Sequence, residues 1–213
     1  METEKVNSKT LIITAVIVIL MDFILMKLFE LFPIPVYSRV AMTRLIEITA
    51  LLVIVSKLNN GLAAIGLSKE TAFHGIKKGI FWSLGFGSLV GIAFIGLAVS
   101  GINPFHLFKT RLPSSTIEIV FFFFAGGLIA PIAEEIFFRG ILFGFFRKNG
   151  AIFAAIISTL IFVSLHSIGG AVPVVQTVGG LLFVLSYELE KSLFTPIVIH
   201  TLGNLAIFTI SLL

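Results

Sequence analysis

Six side chains carry the chemistry this sequence offers: Glu134, Glu135 and Arg139 in one short stretch, His166 further on, and His200 with Asn204 near the end. A carboxylate beside two imidazoles and a carboxamide has the parts for hydrolysis by an activated water. Glu134, ionised, can take a proton from water, and His166 can orient that water or the carboxylate. His200 and Asn204 are four residues apart, share a helix face, and can donate hydrogen bonds to the oxyanion of a tetrahedral intermediate. Glu135 and Arg139 have the same spacing and can pair as a support, while Glu134 points about 100° away from Glu135. The chain has no cysteine, which excludes a thiol nucleophile and disulfides. Ser164 falls on a different face from His166, which argues against a serine mechanism.

The same atoms allow a second chemistry. Glu134, His166 and His200 form a ligand set for Zn²⁺ with an open position for water. No short pair such as H-x-x-x-H supplies a ready chelate, so the metal-free version, which needs no cofactor, is favoured.

What must position these groups is a membrane. Glu134, Glu135 and Arg139 lie between the apolar runs 121–130 and 141–146. On insertion scales each central charge costs roughly 2.5–3.5 kcal/mol, about 7–10 for three, and the neighbouring apolar residues return about 2–5. Pairing, partner helices or a wet cavity must cover the difference, which makes the stretch a functional-site hypothesis. The whole chain of 213 residues is 57% hydrophobic and only 12% charged, with a mean hydropathy of +1.11. A soluble domain is nearer a quarter charged. The expected class is all-α, one integral-membrane domain of seven helices, give or take one. Residues 1–115 supply N-terminal spans and a surface segment, and 116–213 the core that carries the motifs. The net charge of +4 comes from scattered basic residues, so nucleic acid is not an expected partner.

Spans are predicted over 11–31, 44–55, 80–99, 117–147, 151–166, 172–187 and 193–213. Asp22 and Lys27 in the first read as a pair or a cavity-facing group. Residues 62–78 read as an amphipathic segment along the surface, capped by Ser68, with Ala72, Phe73 and Ile76 as its apolar stripe. Gly85, Gly87, Gly91 and Gly96 mark the third span for close helix contact, and residues 167–170 read as a loop. Residues 117–147 would run about 45 Å as an α-helix, so a tilt, a projection or a kink near Gly126-Gly127 or Pro131 is required. Alternation of the spans puts most loop lysines, including Lys5, on the N-terminal side, which is therefore expected to be cytoplasmic. His74 and His106 are expected to be ordinary exposed residues.

Register supplies a depth test. Across the Asn149-Gly150 turn, Glu134 lies about 22 Å before and His166 about 24 Å after. From a turn near Glu190, His200 and Asn204 lie about 15 and 21 Å in. Polar groups from three helices therefore converge at similar depth.

Glu134-Glu135-x-x-x-Arg139, Phe162-x-x-x-His166 and His200-x-x-x-Asn204 together resemble the three motifs of the CPBP family, the CAAX protease and bacteriocin-processing (Abi) intramembrane proteases, which include the type II CAAX prenyl endopeptidases. The likeness runs over residues 121–213. It implies an intramembrane endopeptidase of a prokaryotic cell membrane acting on a peptide or protein substrate, lipid-anchored or membrane-spanning, of a C-terminal, sorting-signal or bacteriocin type. It implies Glu134 as water activator, His166 as its partner, His200 and Asn204 at the oxyanion, and Glu135 with Arg139 in support; glutamate and metal mechanisms both stay open. Two other readings use the same residues. One is a non-enzymatic immunity or assembly factor with the polar cluster as scaffold. The other is a proton-coupled transporter, disfavoured by the lack of an inverted repeat.

Overall fold

The computed structural model of the protein describes residues 6–166 and 173–213, apart from the side chains of His106 and Leu107. Lys5 and the expected loop at 167–170 lie outside the described residues. Seven helical rods account for nearly all of the rest: α1 (Ser8–Glu30), α2 (Val36–Leu58), α3 (Lys69–Val99), α4 (Thr116–Asn149), α5 (Ala151–His166), α6 (Val174–Glu190) and α7 (Phe194–Ile210). Among the described residues there is no β-strand. The protein is an all-α bundle of membrane-type helices. Three of them, α1, α3 with its lead-in, and α4, are long and apolar enough to cross a bilayer.

Local signals explain the helix starts. The side chains of Asn7, Ser68 and Ser115 accept from the backbone N–H of Thr10, Thr71 and Glu118, each satisfying a donor that a first turn leaves open. Pro35 has no N–H to lose and precedes α2 directly. That is why α2 begins at Val36 and runs 23 residues, rather than starting at 44: the proline pair that ends α1 also opens its successor.

The outward faces are apolar. Phe23, Leu84, Ile92 and Ile95 stand open to the surroundings, the arrangement expected when lipid rather than water is the solvent. The core gathers instead around the middle of α4, where Ile136, Ile141 and Phe143 are sealed against Val55, Ile65, Val184 and Leu193.

The surface segment expected at 62–78 is not a separate element. Residues 69–99 form one continuous helix with no break between its halves. No proline interrupts it, and Gly75 and Gly79 let its first half dock against the start of α7: a Cβ on Gly79 would lie 2.6 Å from the Val198 Cβ. Phe73, from the expected apolar stripe, faces outward at 81% exposure. The four glycines expected to mediate close contact, Gly85, Gly87, Gly91 and Gly96, do not do so among the described residues: a Cβ added at any of them would meet nothing within 4 Å. Asp22 does not pair with Lys27 either. Lys27 binds Glu30 at 3.0 Å, and Asp22 reaches across to Arg44 of α2 at 3.2 Å.

The helix that carries the paired glutamates is irregular. Residues Phe123–Ile129 and Ile136–Phe143 are wound as π-helix, on either side of the α-helical turn Ala130–Glu135. Such wide turns loosen the i→i−4 ladder and leave carbonyls available to other donors. Two are taken by neighbouring helices. Asn204 of α7 donates to the Gly126 carbonyl at 2.9 Å, and the Ser158 hydroxyl of α5 donates to that of Phe138 at 3.0 Å. Gly126 and Gly127 make the first contact possible, since a Cβ on Gly127 would sit 2.6 Å from Leu205. The departure from a straight α-helix thus takes the form of overwide turns on either side of the glutamates.

Candidate active site

Glu134 and Glu135 leave the same turn of α4 on different faces. Glu135 is wholly buried. Its Oε1 accepts from Arg139 at 2.9 Å and faces His200 Nδ1 at 2.7 Å. Arg139, equally buried, also donates to the Gly180 carbonyl of α6 at 3.2 Å. Gly180 is small because it must be: a Cβ there would meet Thr159 at 3.1 Å and the guanidinium at 3.6 Å. The rings of Phe162 and Phe183 cover the guanidinium at 4.6 and 5.0 Å, so the charge is held by one carboxylate, one carbonyl and two π-faces. The pairing read from the i,i+4 spacing is present and buried from water.

Glu134 faces the other way, into a cavity of about 150 Å³. Its Oε2 lies 3.9 Å from His166 Nε2 and 3.8 Å from His200 Nε2. Both rings are held from behind. His166 Nδ1 is 2.8 Å from the Phe162 carbonyl, which only accepts, so Nδ1 carries the hydrogen. His200 Nδ1 likewise donates to Glu135, and Phe183 stacks on the ring at 4.4 Å. In the neutral rings both Nε2 atoms therefore present lone pairs toward Glu134. The gaps are too long for direct hydrogen bonds and of a length that a bridging water can span.

The depth argument from register is thus met by a carboxylate and two imidazoles from α4, α5 and α7. Asn204, one turn beyond His200, has its amide N–H on Gly126. Of the other candidates, His74 is half-exposed and pairs with Glu190 at 3.2 Å, and Ser164 turns back to its own helix at the Ile161 carbonyl, away from the cluster.

Sequence reasoning missed two residues. Arg44 and Glu47 of α2 line the same cavity as Glu134 and His166, with Val18 of α1 and Phe138 of α4 closing it. Glu47 is buried and ion-paired to Arg44. Arg44 reads in the sequence as a basic loop residue, because 44 is where the predicted span begins. A helix begun at Pro35 would have placed Arg44 and Glu47 inside the apolar layer, where a paired charge is a signal.

The zinc alternative can be tested on donors. Two imidazoles and a carboxylate are the right chemistry, but among the described residues no group of three or more His, Cys, Asp or Glu is arranged to hold a metal ion. No step below is routed through a metal ion.

Comparison with known proteins falls on this part of the chain. Residues 116–206 match a family model described as Rce1-like, type II CAAX prenyl endopeptidase. This region is similar to that family. The match spans the helices carrying all three motifs, and the resemblance read from those motifs holds. MroQ of Staphylococcus aureus (strain USA300), named a membrane-embedded CAAX protease, is 35% identical over 94 residues, covering 41% of this chain and 38% of MroQ. YdiL of Bacillus subtilis (strain 168), whose name as a membrane peptidase is itself provisional, is 27% identical over 147 residues, covering 64% of this chain and 59% of YdiL. The chain therefore spans less than two thirds of the length of either curated relative. No solved structure matches it. The Rce1-like region begins at α4, so Arg44 and Glu47 lie outside the family match while lining its cavity.

Proposed function

We propose that the protein is an intramembrane endopeptidase of a bacterial cell membrane, with its N-terminus in the cytoplasm, that hydrolyses a peptide bond with a water activated by Glu134. The observation that carries this is the convergence of His166 and His200 on one oxygen of Glu134, at 3.9 and 3.8 Å, with the far nitrogen of each ring tied down. Those separations leave space for a bridging water at Glu134, which is where a general base needs it.

Glu134 takes a proton as the water oxygen attacks the scissile carbonyl carbon. His166 holds the water's second hydrogen and sets its direction. His200 faces the tetrahedral centre from α7, with Asn204 one turn further along. Collapse breaks the C–N bond, and Glu134 returns its proton to the departing amine. Glu135 and Arg139 touch neither water nor substrate; they fix the ring plane of His200. The substrate is a peptide or protein with a C-terminal, sorting-signal or bacteriocin-type cleavage site, and the names of the relatives support a CAAX-type end.

Comparing the membrane peptidomes of cells carrying wild type and Glu134→Ala tests the proposal. A new terminus formed only with wild type is the expected outcome. Identical termini in both would refute hydrolysis by Glu134 and favour the scaffold reading.

A further inference from the structure

A larger cavity lies away from the paired glutamates. It is a groove of about 800 Å³ between α3 and α6, within the range of small-molecule sites. One row of α3 forms its floor. Lys77, Phe81, Gly85 and Leu89 follow one another at four-residue spacing, and Leu182 and Glu190 of α6 stand opposite. At one end α6 is clasped to the next row of α3. Glu190 accepts from Trp82 Nε1 at 3.0 Å, pairs with Lys78 at 3.4 Å and lies 3.2 Å from His74 Nε2. Beyond the clasp the groove is apolar and open. Phe81 and Leu89 are 59 and 66% exposed, and a Cβ added to Gly85 would meet nothing within 4 Å.

From this arrangement we propose that the groove holds one anionic phospholipid, with its phosphodiester at Lys77 and Lys78 and an acyl chain along Gly85 and Leu89. Charge argues for the headgroup. Two ammonium groups line the groove with one carboxylate, Glu190, and the surplus positive charge matches the single negative charge of a phosphodiester. Lys78 is offset by Glu190, so Lys77 supplies the surplus. Among the described residues Lys77 has no carboxylate partner, and its ammonium lies 6.0 Å over the Phe81 ring. Its long stem can lie on the apolar wall while the charge reaches the headgroup layer. Depth argues for the chain. Lys77 and Leu89 are separated by about 18 Å of helix, and Leu182 stands about 12 Å from Glu190 along α6. One leaflet contributes about 15 Å to a hydrocarbon layer of ~30 Å. Trp82, the chain's only tryptophan, is of the type that anchors helices at headgroup level. α3 starts on the N-terminal side of the membrane, the side expected to be cytoplasmic, and anionic lipids are a feature of that leaflet.

The groove also backs onto the catalytic helices. Trp82 and Leu182 pack against the cluster of Phe162, Phe183 and Ile199, and Phe183 stacks on the His200 ring at 4.4 Å. A lipid seated there braces the wall behind His200. The lipid site itself does not depend on the endopeptidase reading.

The test uses the full chain in phosphatidylcholine vesicles with Trp82 as reporter. Part of the lipid is replaced by brominated phosphatidylglycerol or by brominated phosphatidylcholine, and quenching of the one indole reads which lipid lies against it. Brominated phosphatidylglycerol is expected to bind about fivefold more tightly, the weight of one interfacial lysine against an anionic lipid. Lys77→Gln, which breaks no ion pair seen among the described residues, should bring that ratio to about one. Gly85→Leu fills the groove where no other atom stands in the way and should abolish the preference as well. Equal binding of the two lipids by wild type overturns the proposal, as does a preference that survives either replacement. A preference lost on adding millimolar inorganic phosphate marks a site for the free anion. Quenching by neither lipid until the protein is diluted in the bilayer gives the groove to a second copy of the chain. Either of these results also overturns the lipid.

Discussion

Glu134 and Glu135 are neighbours in one helical turn, yet they occupy opposite environments. Glu135 has no exposed surface, and its Oε1 is held by a guanidinium and an imidazole; the side chain of Glu134 keeps 19% of its surface and faces imidazole lone pairs at distances beyond a hydrogen bond. The difference teaches how one motif divides its labour. The α-turn between two π-wound segments aims one carboxylate at packed protein and the other at space. A carboxylate that is sealed from water and paired with a cation is a poor base; one facing a gap can hold and deprotonate water. The energy that makes Glu135 structural is what leaves Glu134 available.

That contrast can be broken in order of size. Glu134→Gln should reduce turnover by about 10²–10⁴-fold, the usual contribution of a general base, while unfolding in detergent moves by no more than about 0.5 kcal/mol. A large loss of stability would put Glu134 in the same class as Glu135. Arg139→Ala should behave inversely, costing about 3–5 kcal/mol of stability by stranding the buried Glu135 carboxylate. If it melts like wild type, the sealed half of the site is not held by charge. Replacing both partners, Glu135→Gln with Arg139→Met, should recover much of that loss.

The helix contacts that bring α7 to the site can be probed more gently. Gly79→Leu must push Val198 aside and should destabilise by about 1–3 kcal/mol, whereas Gly87→Ala on the open half of α3 should stay within about 1 kcal/mol of wild type. Equal effects would remove the distinction between the packed and open glycines. The smallest expected effect is that of a strong chelator. Turnover should be unchanged after prolonged incubation, and a loss restored by added Zn²⁺ would convert Glu134 from base to ligand.

Much of this was legible in the chain. Charges inside an apolar run must be compensated, so Glu134, Glu135 and Arg139 stood out by cost alone. Helical rise fixed the depth of His166 against Glu134 across the Asn149-Gly150 turn, because a hairpin of two helices allows little else. Rotation about each helix was less accessible. Gly75 and Gly79 rather than Gly85 to Gly96 carry the close contacts, since a glycine marks possible approach and only a partner at that height makes use of it. Arg44 was hidden by a boundary: a proline pair reads as the end of α1, and its role as the start of α2 emerges from the capping geometry.

Sequence alone determined that this is a membrane helix bundle with a carboxylate and two imidazoles at one depth, because hydropathy and rise per residue are local properties. Tertiary structure decided which glutamate is sealed and which faces the cavity, where Asn204 places an amide hydrogen, and that α2 brings Arg44, paired to Asp22 of α1, and Glu47 to the cavity beside Glu134. Those outcomes depend on π-wound turns and on glycines meeting particular side chains of other helices, and such pairings exist only once the helices are packed.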